Sequence, residues 1–177
     1  MKLERKFILG LAVYILVLCG LIVTHIVNQR QIATPKASAS ASLSLLPETG
    51  KFPFGQSQTA QIMLDTGERA VVGVDASLTF DPSMIKIESV QPGSLFQGQI
   101  VFKNEVANNK ILLSLGSFTP FTGTGVYGTI TFRAIRGGKS VLIFNPSPES
   151  KIAQQGGGNI LAEVKNSGYL LEVENSR

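Results

Sequence analysis

From residue 42 onward the chain alternates apolar and polar side chains with a period of two. Val72, Val74, Ala76, Leu78 and Phe80 alternate with Gly73, Asp75, Ser77 and Thr79, the pattern of a strand with one face in a core and the other in water. In a second long run, Val126, Gly128, Ile130, Phe132 and Ala134 are expected on one side. Tyr127, Thr129, Thr131 and Arg133 are expected on the other. Shorter runs cover 60–64, 85–90, 100–102, 111–115, 141–144 and 169–173, with a first strand near Ser42. Turn formers separate them: Asp65-Thr66-Gly67, Asp81-Pro82, Gln91-Pro92-Gly93, Asn108-Asn109, the Thr122 to Gly125 stretch, Arg136-Gly137-Gly138 and Gly156-Gly157-Gly158-Asn159. No stretch of useful length has helical periodicity. The pattern predicts an all-β protein body, a two-sheet sandwich of about nine strands.

The N-terminus follows a different pattern. Phe7 to Val27 is almost unbroken apolar sequence, and as a helix it would span roughly 31 Å, close to the hydrocarbon thickness of a bilayer. Lys2, Arg5 and Lys6 precede it, which predicts a cytoplasmic N-terminus and an external body. The run exceeds the roughly 7–15 apolar residues of a cleaved signal peptide, so a retained signal anchor is expected. Cleavage at Ala37-Ser38-Ala39 or Ala39-Ser40-Ala41 is the alternative. Lipidation of Cys19 is disfavoured by the bulky Leu18 before it and the apolar residues after it. The expected organisation is a cytoplasmic stub (1–6), a transmembrane helix (7–27), a flexible Ser/Ala/Pro linker (28–41), the sandwich (42–173) and a short tail (174–177).

Composition narrows the chemistry. One Cys and one His, Cys19 and His25, both lie in the apolar run. The chain therefore has no internal disulfide, and no zinc site or His-dependent nucleophilic centre of the usual kind. The net charge is +4, but residues 42–173 hold ten Lys or Arg against ten Asp or Glu. The excess sits beside the apolar run, so the body lacks the basic surface of a nucleic-acid binder.

Several blocks together carry a family resemblance. They are Ser42-Leu43-Ser44-Leu45, then Ile62-Met63-Leu64-Asp65-Thr66-Gly67, then the run from Val72 through Phe80 to Asp81-Pro82. Pro92-Gly93-Ser94-Leu95-Phe96, the Thr122 to Gly125 turn, Ile130 to Ala134 and Gly158-Asn159-Ile160-Leu161 follow. In order and spacing they resemble a cohesin domain across the whole body. The resemblance implies a nine-stranded jelly-roll sandwich, related in fold to cellulase carbohydrate-binding modules. It also implies a dockerin partner, the calcium-loaded helical tag of secreted polysaccharide-degrading enzymes, with no cofactor in the cohesin itself. In cohesins the strand matching 72–80 lies on the flat face that meets the dockerin, where an Asn-x-Asp pair is a familiar contact. Asp75 falls on the Asp position and Gly73 on the Asn position. Ser77, Thr131 and Arg133 are expected to share that polar face, completing the candidate partner-binding set.

Other motifs have plainer readings. Leu46-Pro47-Glu48-Thr49-Gly50 spells a sortase sorting signal, but 127 residues follow it and the apolar segment precedes it. It reads as a strand end leading into a turn. Direct polysaccharide binding, the alternative function beside general surface adhesion, favours rows of Trp or Tyr. The body has no Trp, and Phe118 and Phe121 are the loop candidates for such a role. Asp65, Glu68 and Asp81 lie in turns without the dense spacing of a calcium loop. Glu105 and Glu149 could serve as hydrolase carboxylates, but no spacing singles out a pair. The expectation is a non-catalytic docking module held at the outside of the cell membrane.

Overall fold

Strands account for most of the body. The computed structural model describes residues 40–164 and 169–174; the predicted stub, transmembrane helix and all but the end of the linker lie outside them. Twelve strands occur in these residues: β1 (Ala41–Leu46), β2 (Thr49–Pro53), β3 (Ser57–Asp65), β4 (Val71–Phe80), β5 (Ile85–Pro92), β6 (Ile100–Ala107), β7 (Lys110–Phe121), β8 (Thr124–Ala134), β9 (Gly138–Phe144), β10 (Lys151–Gln154), β11 (Leu161–Val164) and β12 (Tyr169–Glu174). Among the described residues there is no helix.

The strands form the expected sandwich. One sheet has the order β11-β1-β3-β8-β5. The other runs β2-β12-β9-β4-β7-β6, with β10 paired to β4 off that path. The count exceeds the predicted nine because β2, β10 and β11 are only four or five residues long. Such pieces are too short to show an alternation of their own and are defined by pairing along β12, β4 and β1 respectively. The sorting-signal lookalike is divided between sheets, with β1 ending at Leu46 and β2 beginning at Thr49.

The core lies between the sheets. Leu43, Leu45, Ile62, Leu64, Ile130 and Phe132 face it from one side. Val74, Ala76, Leu78, Leu113, Leu142 and Phe144 face it from the other. The β6–β7 hairpin is closed by Asn108 and Asn109, with Asn108 at φ 55°, a left-handed conformation that Asn tolerates better than most residues.

The predicted alternation fails at two bulges. In β4 the register shifts between Val71 and Gly73, and Val71 turns inward while Val72 is half-buried. In β8 Tyr127 was expected outward and is fully buried. Its neighbours Val126 and Gly128 pair with Met63 and Ile62, leaving Tyr127 as the extra residue. The ring crosses the core, and its hydroxyl accepts from the Leu115 amide at 3.0 Å and donates to the Val74 carbonyl at 2.6 Å. The Leu113 carbonyl lies 2.9 Å away as a second acceptor. Burial pushes the phenol's ionisation well above its ordinary value, opposed by the Leu115 amide and reinforced by the charge of Asp75. The group therefore stays a neutral donor and acceptor, as a buried hydroxyl must.

Tyr127→Phe removes this oxygen and leaves the Leu115 amide and Val74 carbonyl short of a partner. The expected loss of stability is about 1–3 kcal/mol, read from the urea midpoint of a 39–177 fragment; an unchanged midpoint would show that the oxygen contributes nothing.

Candidate functional site

The outer side of the seven-stranded sheet is built from β4 and its neighbours. On β4, Gly73, Asp75 and Ser77 alternate with the core residues Val74, Ala76 and Leu78. Pairing aligns Lys151 of β10, Asp75 of β4, Ser114 of β7 and Lys103 of β6 in one row across four strands. Ser114 donates its hydroxyl proton to the Asp75 carboxylate. In the next row Ala153, Gly73 and Gly116 lie side by side, so the sheet is low there. Two shallow depressions of about 300 and 370 Å³ adjoin along these rows, sharing Asp75, Phe102, Ser114 and Lys151. A Cβ added at Gly73 would lie 3.6 Å from the Leu115 carbonyl oxygen and 3.9 Å from the Ala153 Cβ. That is ordinary contact, so a side chain there would extend over open surface.

Ser77 is a correction to the expected set. It points outward but is completely buried, because residues 145–150 cross over it. β9 pairs with β4 at Leu78 to Phe80 and β10 pairs at Val71 to Asp75, leaving a gap at Ala76 and Ser77. The connecting segment fills that gap. The Asn145 amide donates to the Ser77 carbonyl at 2.8 Å, and the Ser77 amide donates to the Ser150 hydroxyl at 3.2 Å. The Ser77 hydroxyl donates to Glu149 at 3.1 Å and accepts from the Asn145 side-chain amide at 2.8 Å. Ser77 therefore holds the frame of the face and offers nothing to a partner.

Thr131 and Arg133 are the second correction. They lie on β8, in the other sheet, beside Thr59 and Ser57 of β3. Arg133 pairs with Glu88 at 2.6 Å, and Ser57 donates to the same carboxylate at 2.6 Å. The Ser57 hydrogen bond, followed by the Arg133 contact, holds the Glu88 carboxyl below the usual range. Alternation tells which side of its own strand a residue occupies, but not which sheet the strand joins. Of the predicted set, Gly73 and Asp75 therefore share the open face, and Ser77, Thr131 and Arg133 do not.

Other sequence candidates fall into place. Phe121 packs edge-on against Phe96, with ring centroids 6.2 Å apart, whereas Phe118 is 92% exposed. Asp65 accepts from the Gly67 amide and Asp81 from the Ser83 amide and hydroxyl, so both cap their own turns. Among the described residues no three metal-ligating side chains gather. Glu149 is held by Lys110 at 2.9 Å. Phe102, Lys103, Ser114 and Lys151 were missed by the sequence reading. Phe102 belongs to a short apolar run in the sequence, and the register shift between Val101 and Lys103 makes it the extra residue of β6.

Comparison with known proteins agrees with this geometry. No protein-family model and no curated protein matches the sequence. Solved structures do match in shape. The solution structure of CaCohA2 from Clostridium acetobutylicum superposes with a TM-score of 0.65 at 18% identity, covering 79% of this chain and 94% of that one. A non-cellulosomal cohesin from the archaeon Archaeoglobus fulgidus gives 0.62 at 17%, covering 77% and 93%. A type I cohesin–dockerin complex from Clostridium thermocellum gives 0.61 at 16%, covering 80% and 98%. The body has the cohesin fold.

Glu149 supplies a pH test of the frame. Its carboxyl is held below the ordinary 4.5, first by the hydrogen bond from Lys110 and then by that from Ser77. A depressed carboxylate stabilises the fold above its unfolded pKa and loses that contribution as pH falls through the folded value. Carboxyl-carbon NMR titration should place the Glu149 midpoint below 4.5, with Lys110→Ala moving it back up. A midpoint at or above 4.5 in the wild type would contradict the contact.

Proposed function

We propose that this protein is a membrane-anchored docking module whose exposed sandwich binds a dockerin, gathering dockerin-bearing polysaccharide-degrading enzymes at the cell surface. The observation that carries the reading is the open, low face of β10-β4-β7-β6, with Asp75 at its centre, on a cohesin fold. A match to a cohesin solved together with its dockerin supports the same partner class. The body needs no cofactor for this role, and calcium belongs to the dockerin. A carboxylate in the middle of a flat sheet can accept hydrogen bonds from helix side chains once water is excluded. The external location is supported by the apolar run from Phe7 to Val27 behind Lys2, Arg5 and Lys6.

Calorimetric titration of a 39–177 fragment with dockerins of the same organism, with and without calcium, tests the partner. Asp75→Ala should weaken binding by roughly 2 kcal/mol and leave the melting temperature nearly unchanged. Gly73→Asn should keep the fold, given the space above that position. Binding to cello- or xylo-oligosaccharides with no response to any dockerin would replace docking with glycan recognition.

Topology has its own test. Protease added to intact cells should digest the body while the N-terminal apolar segment stays with the membrane. Protection of the body, or a mature N-terminus near Ala41, would overturn the anchor.

A further inference from the structure

Among the described residues the two most exposed large apolar side chains are phenylalanines, one on β6 and one on β7. Phe102 is 65% exposed. It is the extra residue at the β6 register shift, which turns its ring onto the outer side above Gly116. A Cβ on Gly116 would lie only 2.8 Å from the Phe102 Cε2, so the glycine is the seat of the ring. Phe118 stands two residues beyond Gly116 on the same strand. Between the pairs Gly73–Gly116 and Val71–Phe121, β4 advances two residues while β7 advances five. Residues 117–120 are thereby pushed out of the ladder opposite Val72 alone. The excursion is pinned at its base: the Ser117 hydroxyl donates to the Gln97 carbonyl, and the Thr119 amide donates to the Ser117 hydroxyl at 2.9 Å.

Aromatic side chains have few rotatable bonds to freeze on association, and such anchors dominate the energetics of protein interfaces. Both borders of the adjoining row are cationic, with Lys151 at one end and Lys103 at the other around the single carboxylate of Asp75. We propose that Phe102 and Phe118 are the affinity-determining anchors of the docking face. They fit a calcium-loaded dockerin whose contacting helix carries an apolar patch opposite the two rings and a carboxylate opposite Lys103 or Lys151. This inference rests on the docking function proposed above and adds the chemistry of the partner's surface. The two depressions are shallow and continuous, which suits a helix laid across the strands better than a sugar held in a cleft.

The experiment titrates calcium-loaded dockerins of the same organism into the full-length protein and its variants. Phe102→Ala and Phe118→Ala should each weaken binding at least tenfold, and together at least a hundredfold, with melting temperatures close to wild type. Phe102→Leu keeps an apolar side chain on the Gly116 seat and should recover part of the loss. Lys103→Ala with Lys151→Ala should lower affinity several-fold and flatten its dependence on salt. Full affinity in the double phenylalanine variant overturns this inference and leaves dockerin binding standing. Failure of every dockerin to bind the full-length wild-type protein overturns both. Oligosaccharide binding that disappears in the phenylalanine variants would assign the rings to a glycan and overturn the protein anchor.

Discussion

A single phenol joins the two halves of the sandwich. Tyr127 leaves the five-stranded sheet at a bulge, crosses the apolar interior and satisfies backbone groups of β4 and β7. Hydrophobic burial alone would let one sheet slide over the other, because it has no direction. A hydrogen-bonded hydroxyl in a low-dielectric interior permits one arrangement, since displacement would strand three polar groups without water. The strands fixed in this way are the two that form the middle of the candidate face. Asp75 and Ser114 follow and precede in chain order the very residues, Val74 and Leu115, that hold the phenol.

The face depends on a second device of the same kind. β4 is long enough to need two partners on one side, and β9 and β10 share it without meeting. The gap at Ser77 would expose backbone groups if residues 145–150 did not bridge it. The bridge also carries Glu149 to Lys110, tying β10's approach to the far end of β7. As a result Lys151 reaches the sheet directly opposite Asp75. The polar row across the four strands is thus a product of register, set by the buried groups around Ser77 and Tyr127 and by the surface pair of Glu149 and Lys110.

Much of this was legible in the sequence. The alternation from Val74 to Phe80 gave the correct sides of β4, and Gly73 and Asp75 were found as members of the open face. The failures share one cause, which is that strand pairing joins residues far apart in the chain. A bulge is invisible without knowledge of the partner strand, so strict alternation puts Tyr127 outward and Phe102 inside an apolar run. Thr131 and Arg133 have the right parity but belong to the other sheet. Ser77 has the right sheet and side, but a segment 70 or so residues later in the chain covers it. Phe118 and Phe121 were indistinguishable as letters, and only the excursion of β7 separates an exposed ring from a packed one.

The arrangement of β1 has a mechanical consequence. This strand begins at the first described residues, and it lies between β3 on one side and a parallel β11 on the other. A pull directed along the axis of β1 does not peel it away one bond at a time. It must slide the strand past both neighbours, loading the two ladders together. Rupture under such a load is set by the unfolding barrier rather than by equilibrium stability.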